Sequence, residues 1–312
     1  MTDTIKLFDT ITFLLPADDY NIDPNLLQSF HHLERYKQIG NSDGEIVAEQ
    51  GVFNNLHIKQ LNKGIKVSGS FPKFLYDINT EFLSIEELRQ SIVLLNNSLG
   101  LDFKQAKISR LDFGVDIITD KDPSLYLPHL LSSNYFTGIN TYPNSKTFIN
   151  TNRTKILYKK SQQLEGVTIN RLRFEIRYKS KFLKRIFKKE LLLGQLLDKN
   201  IINQLIESVD KEFRSIITST DLQFQLDTIL SPNDFYDYII TSYINEIGLN
   251  RVEQLIREIR ATGGLQNPVH SSRIMKKLHR SSIKFCNEHA PSLKKELRTK
   301  VKDKLNLYRC LN

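Results

Sequence analysis

Cysteine is scarce in this 312-residue chain. Cys286 and Cys310 are its two cysteines, too few for a disulfide scaffold or a Cys-rich zinc module, so a reducing compartment is the expected setting. No apolar run approaches the ~20 residues that a membrane-spanning helix needs. The start, Met1-Thr-Asp-Thr-Ile-Lys, lacks the basic and apolar regions of a secretory signal. No basic amphipathic helix carries large aromatics along a continuous opposite face, which sets membrane-surface binding aside. Also absent are a phosphate-cradling GxxxxGK[ST] loop, a Gly-x-Ser-x-Gly elbow and an HExxH pair. Gly263-Gly264 belongs to a breaker loop rather than a dinucleotide fingerprint. Fixed-period repeats and low-complexity tracts are missing too.

Positive charge is present, and it is unevenly placed. The net charge is +9; residues 1–150 hold 13 Lys and Arg against 18 Asp and Glu, whereas residues 151–312 hold 31 against 17. Residues 251–312 alone carry 15 bases and 5 acids. Such a division predicts a basic surface for a polyanion in the second half, with nucleic acid as the expected partner and no membrane.

Hydrophobic period divides the chain in the same way. Thr4–Leu15 is a strand pattern that stops at Pro16-Ala-Asp-Asp, and Val52–Lys59 with Gly64–Ser70 form a hairpin about Asn62-Lys-Gly. Ser84, with Glu86 and Glu87 behind it, caps a helix whose apolar positions are Leu88, Ile92, Leu95 and Leu99. Lys107–Ile118, Thr154–Lys160 and Asn170–Lys179 are strands; Pro123–Ser132 is a candidate helix, and Pro143–Asn152 a polar loop. From Phe182 onward the period is helical, interrupted at Ala261–Pro268. The expected architecture is α+β: an antiparallel-sheet domain over residues 1–188, then an all-helical basic part over 189–312.

Three strands carry candidate chemistry. In Ile108–Ile117, Leu111, Phe113, Val115 and Ile117 share one face, while Arg110, Asp112, Gly114 and Asp116 share the other. Two carboxylates and an arginine flanking a glycine gap suit a divalent cation plus a phosphate. A solvated face with an internal Arg–Asp pair is the competing reading. In Arg171–Lys179 the polar face holds Glu175 among Arg171, Arg173, Arg177 and Lys179. Like charges at alternate positions repel, which points to a phosphate backbone sharing that face. Tyr158 precedes Lys159 and Lys160; a tyrosine hydroxyl can attack a phosphodiester, although Tyr is also an ordinary strand residue. The histidines form no metal pair: His31-His32 falls on a helix pattern, and His57 sits beside Lys59 in a strand.

Taken in order, Leu7–Phe13, Val67–Asn79, Ser109-Arg-Leu-Asp-Phe-Gly-Val-Asp116, Ile156-Leu-Tyr-Lys-Lys160 and Arg171-Leu-Arg-Phe-Glu-Ile-Arg-Tyr-Lys179 resemble rolling-circle replication initiators. The likeness is to the phage and plasmid replication proteins of the filamentous-phage nicking type, related to the plasmid Rep-trans initiators, and it covers about residues 5–190. It implies a site- and strand-specific DNA nicking–joining enzyme of a bacterial host's cytoplasm. By the resemblance Tyr158 is the nucleophile with Lys159 beside it, and Asp112, Glu175 and Asp116 hold Mg2+ or Mn2+. Arg110, Arg171, Arg173, Arg177 and Lys179 would contact DNA on the sheet. Arg273, Lys276, Lys277 and Arg280 would do so on the basic helices, which dock origin DNA or a host helicase or replisome. The paired-histidine motif of the wider superfamily is missing, which leaves His57 as an additional nitrogen donor.

Overall fold

The computed structural model describes the chain except residues 1–3, 18–26, 28–32, 80, 161, 165–166, 219–230, 248, 266, 285–291 and 312. Its strands are β1 (Lys6–Pro16), β2 (Glu34–Gly40), β3 (Ile46–Phe53), β4 (Leu56–Leu61), β5 (Gly64–Ser70), β6 (Leu83–Ser84), β7 (Lys107–Ile118), β8 (Leu130–Ser133), β9 (Gly138–Tyr142), β10 (Ser145–Asn150), β11 (Arg153–Lys159), β12 (Gln162–Leu164), β13 (Val167–Ile169), β14 (Arg171–Lys179) and β15 (Ile216–Thr218). The α-helices are α1 (Phe71–Tyr76), α2 (Ile85–Leu99), α3 (Ser180–Phe187), α4 (Lys199–Arg214), α5 (Pro232–Ile247), α6 (Leu249–Ala261), α7 (Pro268–Lys284) and α8 (Ser292–Leu311). The fold is α+β. One antiparallel sheet runs β2-β3-β4-β5-β1-β7-β14-β11-β10-β9, with β6 also paired to β1.

Period 2 builds the centre of this sheet. Leu111, Phe113, Val115 and Ile117 of β7 are buried beside Leu172, Phe174, Ile176 and Tyr178 of β14. Helices cover that face. Phe113 meets the Tyr178 ring at 5.1 Å, Phe174 meets Phe213 of α4 at 5.4 Å, and Tyr178 meets Phe182 of α3 at 4.4 Å. Each such side chain contributes roughly 1.5–3 kcal/mol on burial. The helix α2 begins as the sequence predicts: the Ser84 side chain accepts from the Glu87 amide while the Glu87 carboxylate accepts from the Ser84 amide.

Several elements differ from expectation. Val52–Lys59 is not one strand, because Asn54 (φ 42°) and Asn55 (φ 68°) make a two-residue turn between β3 and β4. Asparagine tolerates the left-handed region that such hairpin turns require. Pro123–Ser132 forms short 3-10 turns and then β8, and the supposed loop 143–152 contains β10. Buried Lys146 and Phe148 are the inward residues of β10, a weak apolar signal that polar neighbours hide.

The division after residue 188 does not match the packing. Leu193, Leu205 and Phe213, then Leu297, Val301 and Leu305, belong to the same core as Phe8 and Phe113. In α8, Tyr308 Oη donates to the Lys6 carbonyl at 3.0 Å, and Glu296 accepts from Tyr126 Oη at 2.6 Å. The C-terminal helix therefore closes the sheet domain. The helix α5 packs against α6 and α7. Among the described residues no helix is long and apolar enough to cross a membrane.

Gly114 has a constraint of its own. A Cβ there would lie 1.9 Å from the Phe174 carbonyl oxygen, so β14's backbone, not open space, fills the gap that the sequence pattern suggests. Gly114→Ala should destabilise the protein by about 1–3 kcal/mol through overpacking. An unchanged urea midpoint would contradict this approach of the two strands.

Candidate active site on the sheet face

The face opposite the helices is organised by register. Arg173 lies across from Asp116 on one side and Tyr158 on the other; Arg177 lies across from Asp112, and Glu175 from Gly114. The repulsion expected along β14 is thus answered by β7. Arg173 Nε and Nη2 donate to Asp116 at 2.7 and 2.8 Å, and Arg177 Nε donates to Asp112 at 2.9 Å. Arg110 closes a second fork on Asp112, at 2.8 and 2.5 Å. These are charge-assisted pairs, two of them bidentate.

Burial sharpens the electrostatics. Arg173 is 0 % and Asp112 1 % exposed. Asn79 Oδ1 accepts from Arg173 at 3.1 Å, and the guanidinium lies 4.2 Å from the Phe82 ring centroid, so the segment between α1 and β6 covers it. Arg171 is likewise mostly buried, against Glu81 and Asp116. Arg171 and Arg173 are therefore internal braces rather than an exposed DNA-binding face. Arg110 and Arg177 remain about a third exposed, and exposed Lys179 donates to the Thr151 carbonyl at 3.1 Å.

Tyr158 Oη donates to Glu175 Oε2 at 3.4 Å, with the Arg173 side chain as a further neighbour. Burial pushes the Tyr158 hydroxyl upward, while Arg173 opposes that shift. Glu175 is lifted to about 7 by burial first, then by the negative charges of Asp112 and Asp9. The carboxyl is thus poised near neutrality beside a hydroxyl, the condition that suits proton transfer.

Lys159 is not part of this arrangement. Alternation sends it to the other face, where its Nζ donates to Asp122 at 2.5 Å and draws that carboxyl down to about 2. Lys160 takes its place, with Nζ 5.9 Å from the centre of the Tyr158 ring. Burial, then Arg173, lowers its pKa. The same period-2 count that pairs Tyr158 with Ile156 would have selected Lys160.

Asp9 was missed by the sequence pattern. It lies at an irregularity in the β1–β7 pairing, where the register shifts between Phe8 and Ile11. Its buried carboxylate accepts from Ser70 Oγ at 2.9 Å and Asn79 Nδ2 at 3.2 Å. It was legible only as one polar residue in Leu7–Phe13; the sheet order brings it to Glu175.

The three acids named from the sequence do not meet. Asp112 and Asp116 are four strand residues apart, about 13 Å along β7, and Asp116 gives both oxygens to Arg173. Among the described residues no three His, Cys, Asp or Glu side chains are grouped closely enough to hold a metal ion. His57 shares the face, in one row with Ser68, Thr12 and Arg110, but three strand spacings, about 14 Å, separate β4 from β7. Asp9, Asp112 and Glu175 are oxygen donors of the kind a hard cation takes, but they are not grouped as a metal site, and Glu175 is raised by burial first and then by the other two carboxylates. Arg273, Lys276 and Lys277 are exposed on α7; the Arg280 side chain, His31 and His32 lie outside what is described.

No protein-family model matches the chain, and no curated protein matches it. Among solved structures it is similar to the rolling circle replication initiator protein from Geobacillus stearothermophilus, with 14% identity and a TM-score of 0.40. The likeness covers 67% of this chain and 84% of that one. No residue role follows from it.

Two outcomes test the electrostatics. Asp116→Ala leaves the Arg173 charge buried without its partner and should cost about 3–5 kcal/mol of stability; a change in unfolding free energy below 1 kcal/mol would contradict that burial. Glu175, measured in EDTA, keeps its proton to about pH 7 in the folded state, against an ordinary value of 4.5. Between those values the folded state binds more protons, so stability falls as pH rises. Urea midpoints at pH 5 and pH 8 should show wild type losing more stability than Glu175→Gln; equal losses would show that Glu175 is not raised.

Proposed function

We propose that this chain is a replication initiation protein that nicks and rejoins single-stranded origin DNA through Tyr158, starting rolling-circle replication. The observation that supports this most is the Tyr158 hydroxyl placed against Glu175, with Arg173 as its fixed neighbour and Arg110 and Arg177 accessible on the same face. A nucleophile, a proton acceptor near its working pH and cations for the phosphate are the parts that transesterification requires.

The Tyr158 proton passes to Glu175, and the phenolic oxygen forms a bond to phosphorus. The bond between phosphorus and the 3′-oxygen of the preceding nucleotide breaks. That oxygen takes a proton from Lys160, leaving a 3′-OH primer and a 5′-phosphotyrosyl link. Rejoining runs the same step backwards and keeps the bond energy in the ester, so no nucleotide triphosphate is consumed.

Mg2+ or Mn2+ would offset charge on the scissile phosphate, but among the described residues Asp9, Asp112 and Glu175 are not grouped closely enough to hold it, so the step rests on Glu175, Lys160 and the arginines. Asp116 stays with Arg173 as a brace. Arg110 and Arg177 hold phosphate oxygens by exchanging part of their contact with Asp112. The exposed cations Arg273, Lys276 and Lys277 of α7, with Arg280 at the next turn of the sequence, would dock origin duplex. A host helicase or replisome component is the further partner this reading implies.

A second reading, a non-catalytic origin-binding initiator or regulator, draws on the upward shift of the Tyr158 hydroxyl by burial. The two separate in one experiment. Wild type incubated with a single-stranded origin oligonucleotide and Mg2+ or Mn2+ should form a denaturation-resistant adduct, and Tyr158→Phe should form none. Binding without an adduct in wild type would favour the second reading.

A further inference from the structure

Beyond the helical side of the sheet and the Tyr158 site, the outer strands carry a second constructed surface. Lys37 of β2, Gln50 of β3, Lys59 of β4 and Lys66 of β5 are successive cross-strand partners, so they form one transverse row. Lys59 and Lys66 stand directly opposite one another, an arrangement that costs stability when nothing neutralises it. Among the described residues no carboxylate pairs with Lys37, Lys59 or Lys66, and none lines the groove they border. That groove has a volume of about 310 Å³, and its lining includes Arg35, His57 and Ser68.

Arg35 reaches it from an irregular point. The β2–β3 register shifts between Glu34 and Lys37, and Arg35 takes a φ of 51° within that bulge. Bulges re-aim side chains beside functional surfaces, here adding a fourth cation. The adjacent row runs His57, Ser68, Thr12 and Arg110, so the groove and Arg110 share one sheet face, with mostly buried Thr12 between them.

We propose that the Lys37–Lys59–Lys66 groove is a phosphate track for single-stranded nucleic acid leading to Tyr158. The direction rests on the nicking function proposed above; the charge argument does not. From β4 to β11 is five strand spacings, about 24 Å, a span within the reach of the roughly 4–16 nucleotides that such channels bind. A single strand is the fitting occupant because Tyr158 Oη lies against Glu175 and Arg173, both over nine-tenths buried. A flexible strand can fit one phosphate to that half-buried hydroxyl, whereas a duplex is held off by its own width.

The test is salt-dependent binding of a fluorescein-labelled 20-nucleotide strand to full-length wild type and to a triple variant, Lys37→Gln/Lys59→Gln/Lys66→Gln. Each lost phosphate contact should lower the slope of log K against log salt by about 0.7, so the triple variant should lose about 2. A matched set on the opposite face, Lys181→Gln/Lys184→Gln/Lys189→Gln, should leave the slope unchanged. Equal slopes for wild type and the first triple variant would overturn the track, as would an equal effect of both triples or a larger loss on duplex than on single strand. The Tyr158 reading is separable: a wild type that forms no adduct while the slope still falls removes the nucleophile and leaves the track standing.

Discussion

The pairing of β7 with β14 is the constraint on which the rest depends. It sets Asp116 against Arg173 and Asp112 against Arg177, so the like charges along β14 are neutralised by the acids of β7. Gly114 lets the backbones approach at the midpoint, opposite Glu175. Glu175 is left with Arg177 at 3.5 Å as its partial counter-charge and two carboxylates as neighbours. Its raised pKa follows from burial first and from those carboxylates second, with Arg177 and Arg173 opposing. A one-residue slip would turn this face into the core and the core into this face, which is why the helices on the other side matter to the chemistry. Phe113, Phe174 and Tyr178 hold the register from behind.

Buried ion pairs are costly to form and costlier to break. Arg173 shows what such a pair contributes here. Held by Asp116, Asn79 and the Phe82 ring, it cannot swing away, so it fixes a positive charge beside the Tyr158 oxygen. Arg110 and Arg177 differ, since each keeps solvent access while sharing Asp112. One acid with two arginines can release part of either to an incoming phosphate without leaving a charge unpaired. In the proposed reaction, the division of labour would be between a fixed cation for Tyr158 and movable ones for the phosphate.

Much of this was legible in the chain because strands with one buried face have strict alternation. Lys107–Ile118 and Arg171–Lys179 could be counted residue by residue, and their polar faces named Arg110, Asp112, Glu175 and Arg177 directly. The role of Arg173 was not legible: a strand read alone cannot show that a facing strand supplies Asp116. Asp9 was hidden for the same reason, compounded by the irregular pairing of β1. Lys159 was preferred to Lys160 by adjacency to Tyr158, although alternation favours the residue two positions on. The boundary at 188 followed a change of period, but period says nothing about which helices return to the sheet, and α8 does.

Tyr158 is the residue proposed to become joined to DNA. Tyr142 gives a demanding comparison, because it is exposed and stands two strands away in the same row, through Ser145. Peptide mass spectrometry of the protease-digested wild-type adduct measures the attachment point directly. A 5′-phosphate-linked nucleotide on the peptide bearing Tyr158, fragmented to that residue, is the result expected. Attachment at Tyr142 or another residue, or no linked peptide at all, would contradict the account.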